Sequence, residues 1–184
     1  MTRSVALLAV IATASIISSC GGVGDSRSKL SLIPVKSGKE IQYIDRQGKI
    51  VINPQFKDAT VFRDGLALVL TSGDDRLFGY INEEGKYVIN AKYKEATVFS
   101  EGLAWVVADN DAPSAINKKG DIKFTLTEAE KVRTFHDGLA AFSVLNEDGE
   151  EHWGFVNKEG NIVINAQFSD VSNFSEGKCS VRNS

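Results

Sequence analysis

The chain has 184 residues, with 21 Lys and Arg against 24 Asp and Glu, for a net charge of −3. That balance argues against a nucleic-acid binder, which needs a basic surface to meet phosphate. Two cysteines are too few for a disulfide framework, while the length suffices for one domain with a real core.

Met1 to Ser4 carries one positive charge, Arg3, and Val5 to Ile17 is a thirteen-residue apolar run. That is the length of a signal-peptide core and short for a membrane span. "ISSC" follows, ending at Cys20, and two glycines come next. Small residues before a cysteine at this place resemble a bacterial lipoprotein lipobox. The resemblance implies that residues 1–19 are a signal peptide and that Cys20 is lipidated and becomes the N-terminus. The competing reading is an ordinary secretory signal with an incidental cysteine. Several acyl chains on one residue anchor stably where one is marginal. The expected location is the cell envelope, as an outer-membrane or surface lipoprotein. Removing Arg3 leaves 20 basic and 24 acidic residues, net −4. Residues 20–29 are Gly- and Ser-rich and read as a flexible tether, about 30 Å when stretched.

From residue 30 to 184 the chain repeats itself. Gly48, Gly85, Gly120 and Gly160 are spaced 37, 35 and 40 apart; Gly65, Gly102, Gly138 and Gly177 are spaced 37, 36 and 39. A period near 37 marks a repeat architecture. The repeats run over about 41–77, 78–113, 114–152 and 153–184. Each opens with a strand A: "IQYID", "FGYIN", "SAIN" and "WGFVN". Each A strand ends in Asp45, Asn82, Asn117 or Asn157, with glycine three residues on, which predicts an Asx turn with a Gly bulge. Strand B follows: "KIVI", "KYVI", "DIKF" and "NIVI". A connector then ends in Phe62, Phe99, Phe135 or Phe174, and its "ATVF" is expected to form a short strand C running back between B and D. The third connector, "TLTEAEKVRTF", departs from the pattern. A second glycine turn leads to strand D: "LALVL", "LAWVV", "LAAFSV" and "KCSVR". Its consecutive apolar residues predict burial on both faces. "LSLIPV", residues 30–35, reads as a further D strand ahead of the first A. The expected fold is all-β, with about four tandem antiparallel meander or hairpin repeats, either propeller-like or an open stacked array.

Trp153-Gly154-Phe155-Val156-Asn157 with Gly160, then Phe174-Ser175-Glu176-Gly177, resembles the bacterial WG repeat, also called KWG. Phe78-Gly79-Tyr80-Ile81-Asn82 with Phe99-Ser100-Glu101-Gly102-Leu103-Ala104 is a second copy. Gln42 replaces the glycine in the first copy, and the third keeps only Ile116-Asn117, Gly120 and Phe135 to Ala140. The resemblance covers nearly all of the mature chain. It implies an all-β interaction domain, often exported, and supplies no catalytic residues.

The remaining candidates are few. His136 and His152 are the only histidines and have no metal-ligand spacing. No nucleophile, Walker or zinc-protease motif is present, so no enzyme, metal or cofactor is expected. Asp64, Glu101, Asp137 and Glu176 precede the second glycines and read as turn residues rather than ligands. Cys179 aligns with Ala67, Ala104 and Ala140, which suggests a small buried site. The D-to-A loops hold Asp74, Asp75, Asp109, Asp111, Glu147, Asp148, Glu150 and Glu151 against Arg76 alone. The A-to-B tips are near balance. If repeats stack in one orientation, one rim is acidic and could meet solvent, a divalent cation or a basic partner. Two functions are open: a lipid-anchored, non-enzymatic interaction or scaffold module with a protein partner, and a small-molecule or glycan-binding module. The second would use Tyr43, Tyr80, Trp105 or Trp153 as stacking surfaces, but their repeat positions favour core packing.

Overall fold

The structure is a computed structural model that describes residues 32–109 and 111–183. The signal peptide, Cys20 and the tether lie outside the described residues. Among the described residues, fifteen antiparallel strands form three sheets and there is no helix. The six-stranded sheet holds β1 (Ile33–Ser37), β2 (Glu40–Ile44), β3 (Ile50–Ala59), β4 (Ala67–Thr71), β5 (Phe78–Ile81) and β6 (Tyr87–Tyr93) in sequence order. The four-stranded sheet holds β7 (Glu95–Ala96), β8 (Leu103–Val107), β9 (Pro113–Asn117) and β10 (Ile122–Thr125). The five-stranded sheet holds β11 (Lys131–Val132), β12 (Leu139–Leu145), β13 (Glu151–Asn157), β14 (Ile162–Val171) and β15 (Val181–Asn183). Strand A is β2, β5, β9 and β13. Strand D is β4, β8, β12 and β15, and β1 pairs with β2 as the extra D strand was expected to.

The expected strand C does not run back between B and D. In the first and fourth repeats strand B runs on through the connector: β3 is ten residues long, pairs with β2 by its first half and antiparallel with β4 by its second. In the second and third repeats the connector forms the short separate strands β7 and β11, each antiparallel to D. B and D are therefore direct neighbours, and the chain never doubles back between them. The physical reason is a set of bulges that bend B. Ile44 faces Ile50 and Tyr43 faces Ile52, so Val51 is an extra residue. The same slip recurs at Ile81/Tyr87, Ile116/Ile122 and Val156/Ile162. A larger slip follows, with Tyr43–Ile52 succeeded by Ile41–Phe56. Extra residues bend and twist a strand, so one B strand serves two successive four-stranded units.

The bent strand explains the glycine of strand A. A Cβ on Gly79 would lie 2.7 Å from the Ala91 nitrogen, and one on Gly154 would lie 2.5 Å from the Ile164 carbonyl oxygen. The bulged backbone of B leaves no room for a side chain there.

Strand D is buried on both faces, and it joins neighbouring cores. Ala67 and Val69 enter the first cluster with Tyr43, Ile52 and Phe56; Leu66 and Leu68 enter the second with Tyr80, Ile89 and Phe99. Ala104 and Val106 belong to that second cluster, while Leu103 and Trp105 belong to the third. Each D strand is thus a wall shared by two repeats. The last D differs: β15 is exposed and Cys179 is half-buried against the fourth cluster, where burial pushes its thiol pKa up.

Candidate functional site

The first glycine turns form as the sequence predicts. The Asp45 carboxylate accepts from the Gln47 and Lys49 amides, both at 2.9 Å, and Gly48 has φ +81°. Asn82, Asn117 and Asn157 repeat the arrangement, with Gly85, Gly120 and Gly160 at positive φ. The loop Asn146–Gly149 is a fifth example, which the "NEDG" spelling signals and the reading of that loop as an acidic tip overlooked. These turns also stack: a Cβ on Gly85 would touch Ile52, one on Gly120 would touch Ile89, and one on Gly160 would touch Phe124. Each tip rests on the B strand of the preceding repeat, so all repeats face the same way.

The second turns are two-residue hairpins with both central residues at positive φ, such as Asp64 (51°) and Gly65 (86°). That is the type I′ form which matches strand twist. Their carboxylates do more than fill a turn. Asp64 accepts from the Gly102 amide at 2.7 Å, Glu101 from Gly138 at 2.9 Å, and Asp137 from Gly177 at 2.8 Å. Each repeat holds the turn of the next, so the carboxylates form a ladder along the array. Glu176 is the fourth of the series.

The acidic loops share one edge, opposite both sets of glycine turns. Their carboxylates do not converge: among the described residues no group of three or more His, Cys, Asp or Glu could hold a metal ion. Asp111 pairs with Lys94 at 3.0 Å and raises its pKa. Glu151 lies on β13, half-buried; bonds from Lys131 (2.9 Å) and from the buried Ser143 hydroxyl (2.7 Å) lower its pKa. Asp74, Asp75, Asp109, Glu147, Asp148 and Glu150 are exposed. His136 is half-buried beside the Thr134 hydroxyl, and His152 lies 3.2 Å from the Asn146 amide.

The four aromatics that a glycan-binding reading would need are core residues, as their repeat positions suggest. Tyr43 and Tyr80 are fully buried, Trp105 is 1% exposed and Trp153 6%. The cause is a repeated pairing of strand A with the connector: Tyr43 on Phe62, Tyr80 on Phe99 and Phe155 on Phe174. The Tyr43 hydroxyl donates to the Thr60 carbonyl and Tyr80 to Thr97, both at 2.8 Å. The third repeat has Ala115 at this place. Its cross-strand partner Trp105 supplies the missing ring: it stacks on Phe135 at 5.5 Å, and its indole donates to the Arg133 carbonyl at 2.9 Å.

Two features could meet a partner. The first is a set of exposed apolar residues at the start of every B strand: Ile50 and Val51, Tyr87 and Val88, Ile122, and Ile162 and Val163. The extra bulge residue puts two consecutive side chains outside and turns the third, Ile52 or Ile89, inward. The signal was present in "KIVI" and "KYVI", which do not alternate. The second feature is a cleft of about 750 Å3 between the second, third and fourth repeats, with Trp105, Trp153 and Arg133 in its wall.

The sequence pattern of the WG containing repeat matches residues 43–73, 78–110 and 153–184, together just over half of the chain. The chain belongs to the WG-repeat family. The longest unmatched stretch holds the third repeat, where Ala115 stands at the aromatic position of strand A. No curated protein matches this WG-repeat chain. Among solved structures it is similar to a protein of unknown function from Bacteroides caccae, at 17% identity and a TM-score of 0.40, covering 72% of this chain and 56% of that one. It is also similar to the WD40 β-propeller domain of Doa1, at 17% identity and a TM-score of 0.42, covering 76% and 51%. The chain thus spans about half the length of these structures.

Proposed function

We propose that this WG-repeat chain is a non-enzymatic interaction module, held at the bacterial cell envelope by lipid on Cys20, whose apolar B-strand row docks a protein partner. The carrying observation is that row: four repeats each expose large apolar side chains at the same register. Scattered exposed apolar residues are ordinary, but a contiguous patch on a monomer marks a contact surface. The tips stack on neighbouring B strands, which sets the row in one orientation along the array, and Tyr87 of the second repeat packs on the buried Phe56 of the first at 6.2 Å. The repeated ladder and shared cores supply the rigid frame such a surface needs.

The test is capture of envelope proteins by the full chain and by a variant carrying Val51→Ser, Val88→Ser and Val163→Ser. These side chains are exposed, so the variant should fold with an unchanged melting curve. The reading expects partners that the wild type retains and the variant loses. Equal capture by both would remove the row as the docking surface.

A further inference from the structure

We propose that the cleft between the second, third and fourth repeats receives a Lys or Arg side chain from a basic segment of a protein partner. This rests on the interaction-module reading and names the chemistry of one contact.

The cleft lies where the third repeat abandons the pattern. Thr60, Thr97 and Ser172 occupy one repeat position, and their hydroxyls accept from the amides of Leu68, Trp105 and Ser180 at 3.1, 3.0 and 2.8 Å. Arg133 stands there in the third repeat and cannot accept. Its guanidinium reaches into the fourth repeat, 4.4 Å over the Trp153 ring, where it donates to the Val171 carbonyl and meets Asp170 at 3.5 Å. The third repeat also has the widest break in its B strand, between β10 and β11, and β11 lines the cleft. A volume of about 750 Å3 is in the range of ligand sites.

Charge selects the occupant. Lys131 is paired with Glu151, Arg133 with Asp170, and Asp111 with Lys94 from outside the lining. Glu95 and Glu130, from the connectors of adjacent repeats, line the cleft and make no ion pair among the described residues. Two uncompensated carboxylates beside apolar walls such as Val132 and Pro113 suit a cation on an aliphatic stem. A metal ion is not favoured, since among the described residues no group of three or more His, Cys, Asp or Glu could hold one. A sugar would need an open aromatic face, and Arg133 covers that of Trp153.

The two tryptophans of the chain both line the cleft, so tryptophan emission reads its occupancy. The full chain would be titrated at fixed ionic strength with tetralysine, tetraglutamate and a neutral tetrasaccharide. The proposal expects a saturable emission change with tetralysine alone. Glu95→Gln with Glu130→Gln should weaken it roughly tenfold, as expected for removal of two exposed charges. The two exposed substitutions should leave the melting curve in place. No saturable response to tetralysine, equal affinity in the variant, or a preference for the saccharide would overturn it. Partner capture by the apolar row is read separately, so the two readings can fail independently.

Discussion

Two kinds of glycine recur in this chain, and they are required for different reasons. Gly79 and Gly154 have ordinary backbone angles but face the bulged backbone of strand B. Gly102 has φ +85° and open space where a Cβ would go. Gly102→Ala should therefore cost about 1 kcal/mol, from backbone conformation alone. Gly79→Ala must push one strand off another and should cost more, about 1–3 kcal/mol. Urea midpoints of both variants check the order, and equal losses would mean the close approach is not felt. The tyrosines add a pH dependence. Burial is the main cause raising the pKa of both Tyr43 and Tyr80 above the ordinary value of 10.0. A raised folded pKa means that the native state holds its proton more tightly than the unfolded chain. Stability from these groups is full below pH 10 and is lost as pH rises above it. A pH series of denaturation midpoints should show that alkaline fall, and Tyr80→Phe should flatten it.

At the scale of elements, the turns and the D strands were legible because their determinants are local. Asx-x-x-Gly fixes a turn within six residues, and an uninterrupted apolar run announces burial on both faces. The path of strand B was not legible. "ATVF" has strand propensity, but whether it turns back or continues depends on bulges opposite strand A, a pairing between segments. The ladder was hidden for a related reason: Asp64 and Gly102 are 38 residues apart and meet only after stacking. The ladder predicts that Asp137→Ala loses about 1–2 kcal/mol, from a charge-assisted bond and a poorer fit to positive φ. Asp137→Asn should be near neutral, since Asn still accepts and tolerates that conformation; chemical denaturation distinguishes the two. The exchange of Tyr for Trp in the third repeat gives a sharper test. Trp105→Ala should cost about 3–5 kcal/mol. Ala115→Tyr should destabilise the wild type by crowding Trp105, yet recover part of the loss in the Trp105→Ala background. Additive effects in that double-mutant cycle would show that the two residues do not share one ring site.

At the scale of the whole molecule, each repeat leans on the next through a core wall, a tip on a B strand and a carboxylate on a glycine. The same stacking aligns the apolar residues of four B strands along the array. The residues of the row could be read in the sequence as strand, but not as surface, because exposure of two consecutive side chains follows from the bulge. The cleft was beyond reach for the opposite reason: it arises from what the third repeat lacks. The anchor belongs to this scale too. Cys20→Ser should release the chain from the membrane or leave an unprocessed precursor. Metabolic labelling with a fatty-acid analogue checks this, and label on the serine variant would exclude lipidation at Cys20. The most direct test of the interaction surface is photocrosslinking in the native envelope, with the reactive residue placed singly at Val51, Val88 or Val163 and, for comparison, at Asp75 or Glu147. The account predicts one partner adduct common to the three row positions and faint or absent at the two loop positions. Equal adducts at all five, or adducts from the loops alone, would contradict it.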